Sequence, residues 1–259
     1  MADYLKPLPE QAVAAWYYRL AASIASNKVQ GSTPLAAVFL KQWLDNRKPN
    51  SIFNFTPPAY LQNHTAVMTA LQYHRDVFLT LKKARIGKTD KWAGILPRIK
   101  GTDGYKKWPG GSIAMKYESL CDIAPGVFDI ISIQNSGTAA DRDLLTALRG
   151  FQLESSVIVD PLRMPDKTIQ VKFTSWKCRV LDTYDWNYNE YFTVPNPDFG
   201  SKDKNAVRPQ DKSIRVYHSN AKRLEDANLA APYKIESAPW PVTNAALLNK
   251  AVVDPARTP

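Results

Sequence analysis

From Thr168 to Tyr184 apolar and polar side chains alternate, with one break in phase. Ile169, Val171 and Phe173 share one parity; Trp176, Cys178 and Val180 share the other. Strand side chains repeat every two residues, so one extra residue near Thr174-Ser175 predicts a β-bulge there. A strand of this length needs long partners and an apolar layer beneath it. Gln152 to Val159 reads as the preceding strand, and Ser213 to His218, with Ile214 and Val216 inward, as another. Val127 to Ile133 is a short apolar run that reads as a buried strand.

The first ninety residues carry a different period. Val13, Trp16, Tyr17, Leu20 and Ile24 recur at helical spacing and predict a helix from Glu10 to Ala25. Thr33-Pro34 reads as an N-cap followed by proline at the first helical position, opening a helix that ends near Asn46. Thr56-Pro57 repeats that signal. Leu61, Val67, Leu71, Phe78 and Leu81 then predict one helix running to Gly87, about 45 Å long. Gly and Pro punctuate 88–126. Thr138 and Asp141 mark a capping box for a short helix stopped by Gly150, and a helical turn is expected at Ala245 to Leu248.

These signals predict an α+β chain: a bundle-like helical region at 1–88, a basic connector at 89–126, and a mainly antiparallel strand-rich region at 127–259. With 44% hydrophobic and 22% charged residues, the chain can bury a core as one domain or two. No window reaches the roughly 18 apolar residues of a membrane span. Arg19 interrupts the first apolar stretch, so no cleaved signal peptide is expected. That places the protein in the cytoplasm of its producer, with any export through a machine that needs no such signal. Cys121 and Cys178 are too few for a disulfide scaffold; free burial or a single bridge both remain open.

The chain holds 34 Lys and Arg against 24 Asp and Glu, a net of +10. The excess concentrates at 82–107. There Lys82, Lys83, Arg85, Lys88, Lys91, Arg98, Lys100, Lys106 and Lys107 face only Asp90 and Asp103. Such a segment is either a solvated linker or a contact for anionic lipid headgroups or nucleic acid. Nucleic acid is the weaker expectation, because no recognised nucleic-acid motif accompanies the charge. There is no GxSxG, no CxxC and no phosphate loop.

Chemistry is best placed at Asp182-Thr183-Tyr184-Asp185-Trp186-Asn187. On a strand Asp182 and Tyr184 share a face, and a turn at Asp185 brings all three polar groups to the strand's end. Two carboxylates beside a phenol suit acid–base chemistry or a divalent metal. Asp and Asn also simply build turns. His218 is the one histidine in the same half of the chain, and a candidate base if a carboxylate lies near it. His64 and His74 do not share a helical stripe and read as structural.

Pro34-Leu-Ala-Ala-Val-Phe-Leu-Lys-Gln-Trp43-Leu, with Val180-Leu-Asp-Thr-Tyr-Asp185-Trp-Asn, resembles an uncharacterised bacterial family often encoded near type VI secretion genes. The resemblance implies an antibacterial effector, or an accessory protein that loads or shields one. Its implied partners are secretion spike or effector-loading proteins and a cognate immunity protein, with the periplasm as target. Asp182-x-Tyr184-Asp185-Trp-Asn is also similar to the acidic motif of the colicin M family, which cleaves a lipid-linked peptidoglycan precursor. That family follows its motif with a His-Arg pair where this chain has Tyr191 and Phe192; His218 and Arg223 are the residues that could replace it.

Overall fold

The computed structural model describes residues 3–79, 83–86, 89–92, 94–96, 110–186 and 191–254. In chain order its elements begin with α1 (Glu10–Ser26), α2 (Leu35–Asp45), β1 (Ser51–Phe55), α3 (Ala59–Gln62) and α4 (Thr65–Phe78). Next come β2 (Lys83–Ile86), β3 (Thr89–Trp92), β4 (Ile113–Asp122), α5 (Val127–Ser136), α6 (Ala139–Ala147), β5 (Gly150–Arg163) and β6 (Ile169–Tyr184). The chain closes with β7 (Tyr191–Pro195), β8 (Ser213–Tyr217), α7 (His218–Asp226), β9 (Tyr233–Ser237), β10 (Trp240–Pro241), α8 (Ala245–Leu248) and β11 (Ala251–Val253). This is an α+β chain, helical first and then mostly antiparallel sheet. Among the described residues no helix is long and apolar enough to cross a membrane.

Two compact units form, each from three stretches of sequence: 1–55, 123–149 and 182–236 in the first; 56–122, 150–181 and 237–259 in the second. In the second unit, sheet order is β6-β5-β4, with β10 and β11 also pairing β6. The bulge lies where the alternation places it. Ile158 pairs Ser175 and Val159 pairs Phe173, so Thr174 is the extra residue. The inner face buries Leu153, Val157, Val159, Phe173, Trp176, Cys178 and Val180. Val67, Leu71 and Phe78 of α4 are buried in the same unit, and the Phe78 ring meets Trp176 edge-on at 5.8 Å. Cys121 and Cys178 are both buried and free.

In the first unit, aromatic side chains make the core. Tyr17 of α1 meets Trp16 and Trp43 edge-on, each with centroids 5.5 Å away, and Phe39 of α2 meets Phe55 at 5.2 Å. The start of α2 differs from the expected Thr33 cap. Pro34 holds the cap position and offers no side-chain acceptor. Asp143, buried on α6, accepts from the backbone N–H of Leu35 at 2.8 Å and of Ala36 at 2.9 Å. A carboxylate at a helix N-terminus satisfies orphan donors and opposes the helix dipole. Asp143→Asn leaves only one acceptor oxygen for two N–H groups, and should destabilise the protein by about 2 kcal/mol in urea melts. A loss below about 0.5 kcal/mol, the range of an ordinary surface change, would refute this remote cap.

Three expectations need correction. Val127–Ser136 is a helix, not a strand; Gly126 donates its N–H to Asp129 Oδ2 at 2.9 Å and closes a capping turn. The long helix is broken into α3 and α4, because His64 Nδ1 accepts the N–H of Ala66 and starts a new helix. Its expected C-terminal end is instead the β2–β3 hairpin, in which Ala84 pairs Lys91 and Arg85 pairs Asp90. Lys83, Arg85 and Lys91 therefore stand on strands. Lys82 and Lys88 lie outside the described residues.

Candidate functional site

β6 ends in the first unit as Asp182, Thr183 and Tyr184, followed by Asp185 and Trp186; Asn187 lies outside the described residues. Alternation puts Asp182 and Tyr184 on one face. The Tyr184 ring stacks on Tyr233 of β9, with centroids 5.4 Å apart and planes at 17°. It also meets Trp186 edge-on at 5.8 Å. Asp182 is half-buried, and burial pushes its carboxyl up to about 7. The Thr183 N–H, 2.8 Å from Asp182 Oδ1, works against that rise, and the negative charge of Asp185 adds to it. The two carboxylates thus feel each other, and one of them titrates near neutrality.

His218 opens α7 directly after β8. Its ring meets Trp186 edge-on at 5.0 Å and lies 5.6 Å from the Phe192 ring. Trp186 is stacked on Phe192 at 5.7 Å. The indole is therefore the link between the acidic turn and His218. Phe192, one of the two departures from the colicin-like pattern, forms part of this wall. Tyr191, the other, is exposed, with the Arg215 guanidinium 4.2 Å from its ring centre. Arg223 is engaged elsewhere in the unit. It donates to the carbonyls of Lys6 and Leu8 at 3.0 and 2.9 Å and to Glu10 at 2.8 Å.

Several buried polar groups in the first unit are left unpaired. The indole N–H groups of Trp186 and Trp16, the Tyr17 hydroxyl and Asn220 Oδ1 are all buried without a hydrogen-bond partner. Tyr17 and Trp186 lie 6.1 Å apart by ring centres. Leaving such groups unpaired costs about 1–3 kcal/mol each, so they are rare away from functional sites and ordered water. Compared with protein families, with curated proteins and with solved structures, the chain matches none.

The arrangement is suited to proton transfer. Among the described residues no three His, Cys, Asp or Glu side chains converge on one point. A carboxyl titrating near 7 can hold a proton at neutral pH and release it to a leaving oxygen. Sequence reasoning named Asp182, Tyr184, Asp185 and His218 but missed Tyr233 and Phe192, whose approach comes from β9 and β7. Only long-range folding brings them there.

Proposed function

We propose that the chain is a type VI secretion-linked antibacterial effector that acts on a phosphate-bearing cell-envelope substrate. The observation that carries this reading is the raised carboxyl of Asp182, near 7, on the same strand face as Tyr184, whose ring meets the Trp186 indole that His218 also meets. In this reading Asp182, its proton affinity raised chiefly by burial and further by the charge of Asp185, supplies or accepts the proton, and His218 assists from the helix start. A carboxyl poised near neutrality is suited to general acid–base hydrolysis. The substrate is a lipid-linked phosphate ester, and a cognate immunity protein protects the producer. The test is expression in a sensitive bacterium, with and without an added periplasmic leader. Killing confined to the periplasmic form is expected; killing only in the cytoplasm would redirect the search to another substrate.

One observation favours a second reading, an accessory protein that loads or shields an effector. Helix α5 buries none of its residues and exposes Val127 at 70%, Phe128 at 87% and Ile131 at 46%. Apolar helix faces of this kind suit protein contacts. Absence of killing in both compartments, together with a Phe128→Ser variant that fails to support delivery of a neighbouring effector, would decide for it.

A further inference from the structure

We infer that the outer face of the β4–β5–β6 sheet binds a phosphate group. A trough with a volume of about 470 Å³ lies there, within the size range of small-ligand sites. It is lined by Lys116, Ser156, Ile158, Ser175 and Lys177, among others, and by no carboxylate. Strand register explains the grouping. Lys116 pairs Ser156, and Ser156 pairs Lys177, so the two lysines flank one serine across three strands. Strands lie about 4.8 Å apart, which sets the lysine backbones about 10 Å apart. Two four-carbon stems close that gap easily over a single anion.

The bulge completes the site. Phe173 and Trp176 point inward, so the extra residue leaves both Thr174 and Ser175 on the outer side. Thr174 Oγ1 is held by the Ile158 carbonyl at 3.0 Å, leaving Ser175 to add its hydroxyl to the trough. Lys116 is steered by Glu154, which is only 5% exposed although it sits on the outer face. Arg179 forks onto the same carboxylate at 2.7 and 3.3 Å. Burial alone would raise the Glu154 carboxyl; Arg179 and Lys116 hold it below its usual range, so it stays charged. Lys177 has no carboxylate within ion-pair distance among the described residues. Glu118, paired with Glu154 one row further on, is exposed and outside the lining. The trough thus presents the Lys177 ammonium, a second ammonium, Lys116, already ion-paired with Glu154, and two hydroxyls, and Ile158, 42% exposed, offers apolar contact to whatever carries the anion. Lysines serve phosphate as point charges, which suits this open geometry. Binding here does not require the chemistry at Asp182.

The experiment titrates the full chain, 15N-labelled, with inorganic phosphate, and in a second arm with vesicles of phosphatidylglycerol or phosphatidylcholine. Phosphate is expected to shift the amides of Ser156, Ser175 and Lys177, and Lys177→Gln to weaken binding at least about tenfold. Added salt should weaken it too, as exposed charges are screened within about 8 Å. Lys116→Gln should act in the same direction, but Lys177→Gln decides, because it breaks no ion pair. Vesicle binding that requires both phosphatidylglycerol and Lys177 identifies a lipid headgroup; phosphate binding without vesicle binding identifies a soluble ligand. The absence of shifts at these amides, or equal shifts in the Lys177→Gln variant, overturns the site.

Discussion

Replacing Asp182 with Asn should abolish killing by the periplasmic protein and, at pH 8, raise its melting temperature by a few degrees. The two effects together distinguish chemistry from turn formation. Asn keeps the size of Asp and an oxygen for the Thr183 N–H, so the local turn survives. What disappears is the ionisable group. In the folded chain that carboxyl is raised from 3.8 to about 7, chiefly by burial. A carboxyl raised in the folded state contributes stability that is complete below its unfolded value and lost as pH climbs through the folded one. At pH 8 the folded parent therefore carries a charge its surroundings disfavour, and Asn removes it. At pH 5 the folded carboxyl is mostly protonated while the unfolded one is still ionised, so the gain should be clearly smaller than at pH 8 and vanish only below about 3.8. Each kcal/mol recovered corresponds to about 2–4 °C in a chain of this size. A carboxyl whose charge the fold disfavours is a candidate for a chemical role. Full killing by Asp182→Asn would end the proton-transfer proposal, whatever the melting curves show.

Local physics made part of this legible. The bulge at Thr174 was readable because two inward-facing sets of opposite parity leave no other solution. The Thr138–Asp141 capping box was readable because both partners lie within one turn; the Thr138 hydroxyl accepts from the Asp141 N–H as expected. The run Val127 to Ile133 failed for the opposite reason. Seven apolar-rich residues fit a buried strand and a helix equally, and periodicity alone does not choose. The deciding signal was the Gly126–Asp129 turn. His64 as a cap was hidden because imidazole is an uncommon acceptor there. Asp143 capping α2 was invisible in principle, since the two residues it binds lie more than 100 positions away. The site divides in the same manner. Asp182, Tyr184 and Asp185 could be named from one strand end. The approach of His218 through Trp186, and of Tyr233 onto Tyr184, arises only from packing among β6, α7 and β9.

The second large effect is set by His74 in the other unit. This imidazole is fully buried, with Nδ1 2.7 Å from Ser155 Oγ and Nε2 2.7 Å from Ser119 Oγ. The Trp176 indole donates to the same Ser155 hydroxyl at 3.1 Å, fixing the serine that fixes the ring. Both nitrogens are satisfied while the ring is neutral, one donating and one accepting. Burial lowers its affinity for a further proton from 6.5 to about 4. A base lowered in the folded state contributes stability that is present above its unfolded value and lost as pH falls through the folded one. The window therefore runs from about 6.5 down to about 4, where the unfolded chain takes a proton that the folded chain refuses. A difference of that size corresponds to about 3 kcal/mol. A His74→Asn variant should melt well below the parent at pH 7.5, because one serine loses its partner. It carries no ring to protonate, so the gap between variant and parent should narrow steadily toward pH 4.5. A gap that stays constant across that range would mean His74 is not what makes this sheet sensitive to acid.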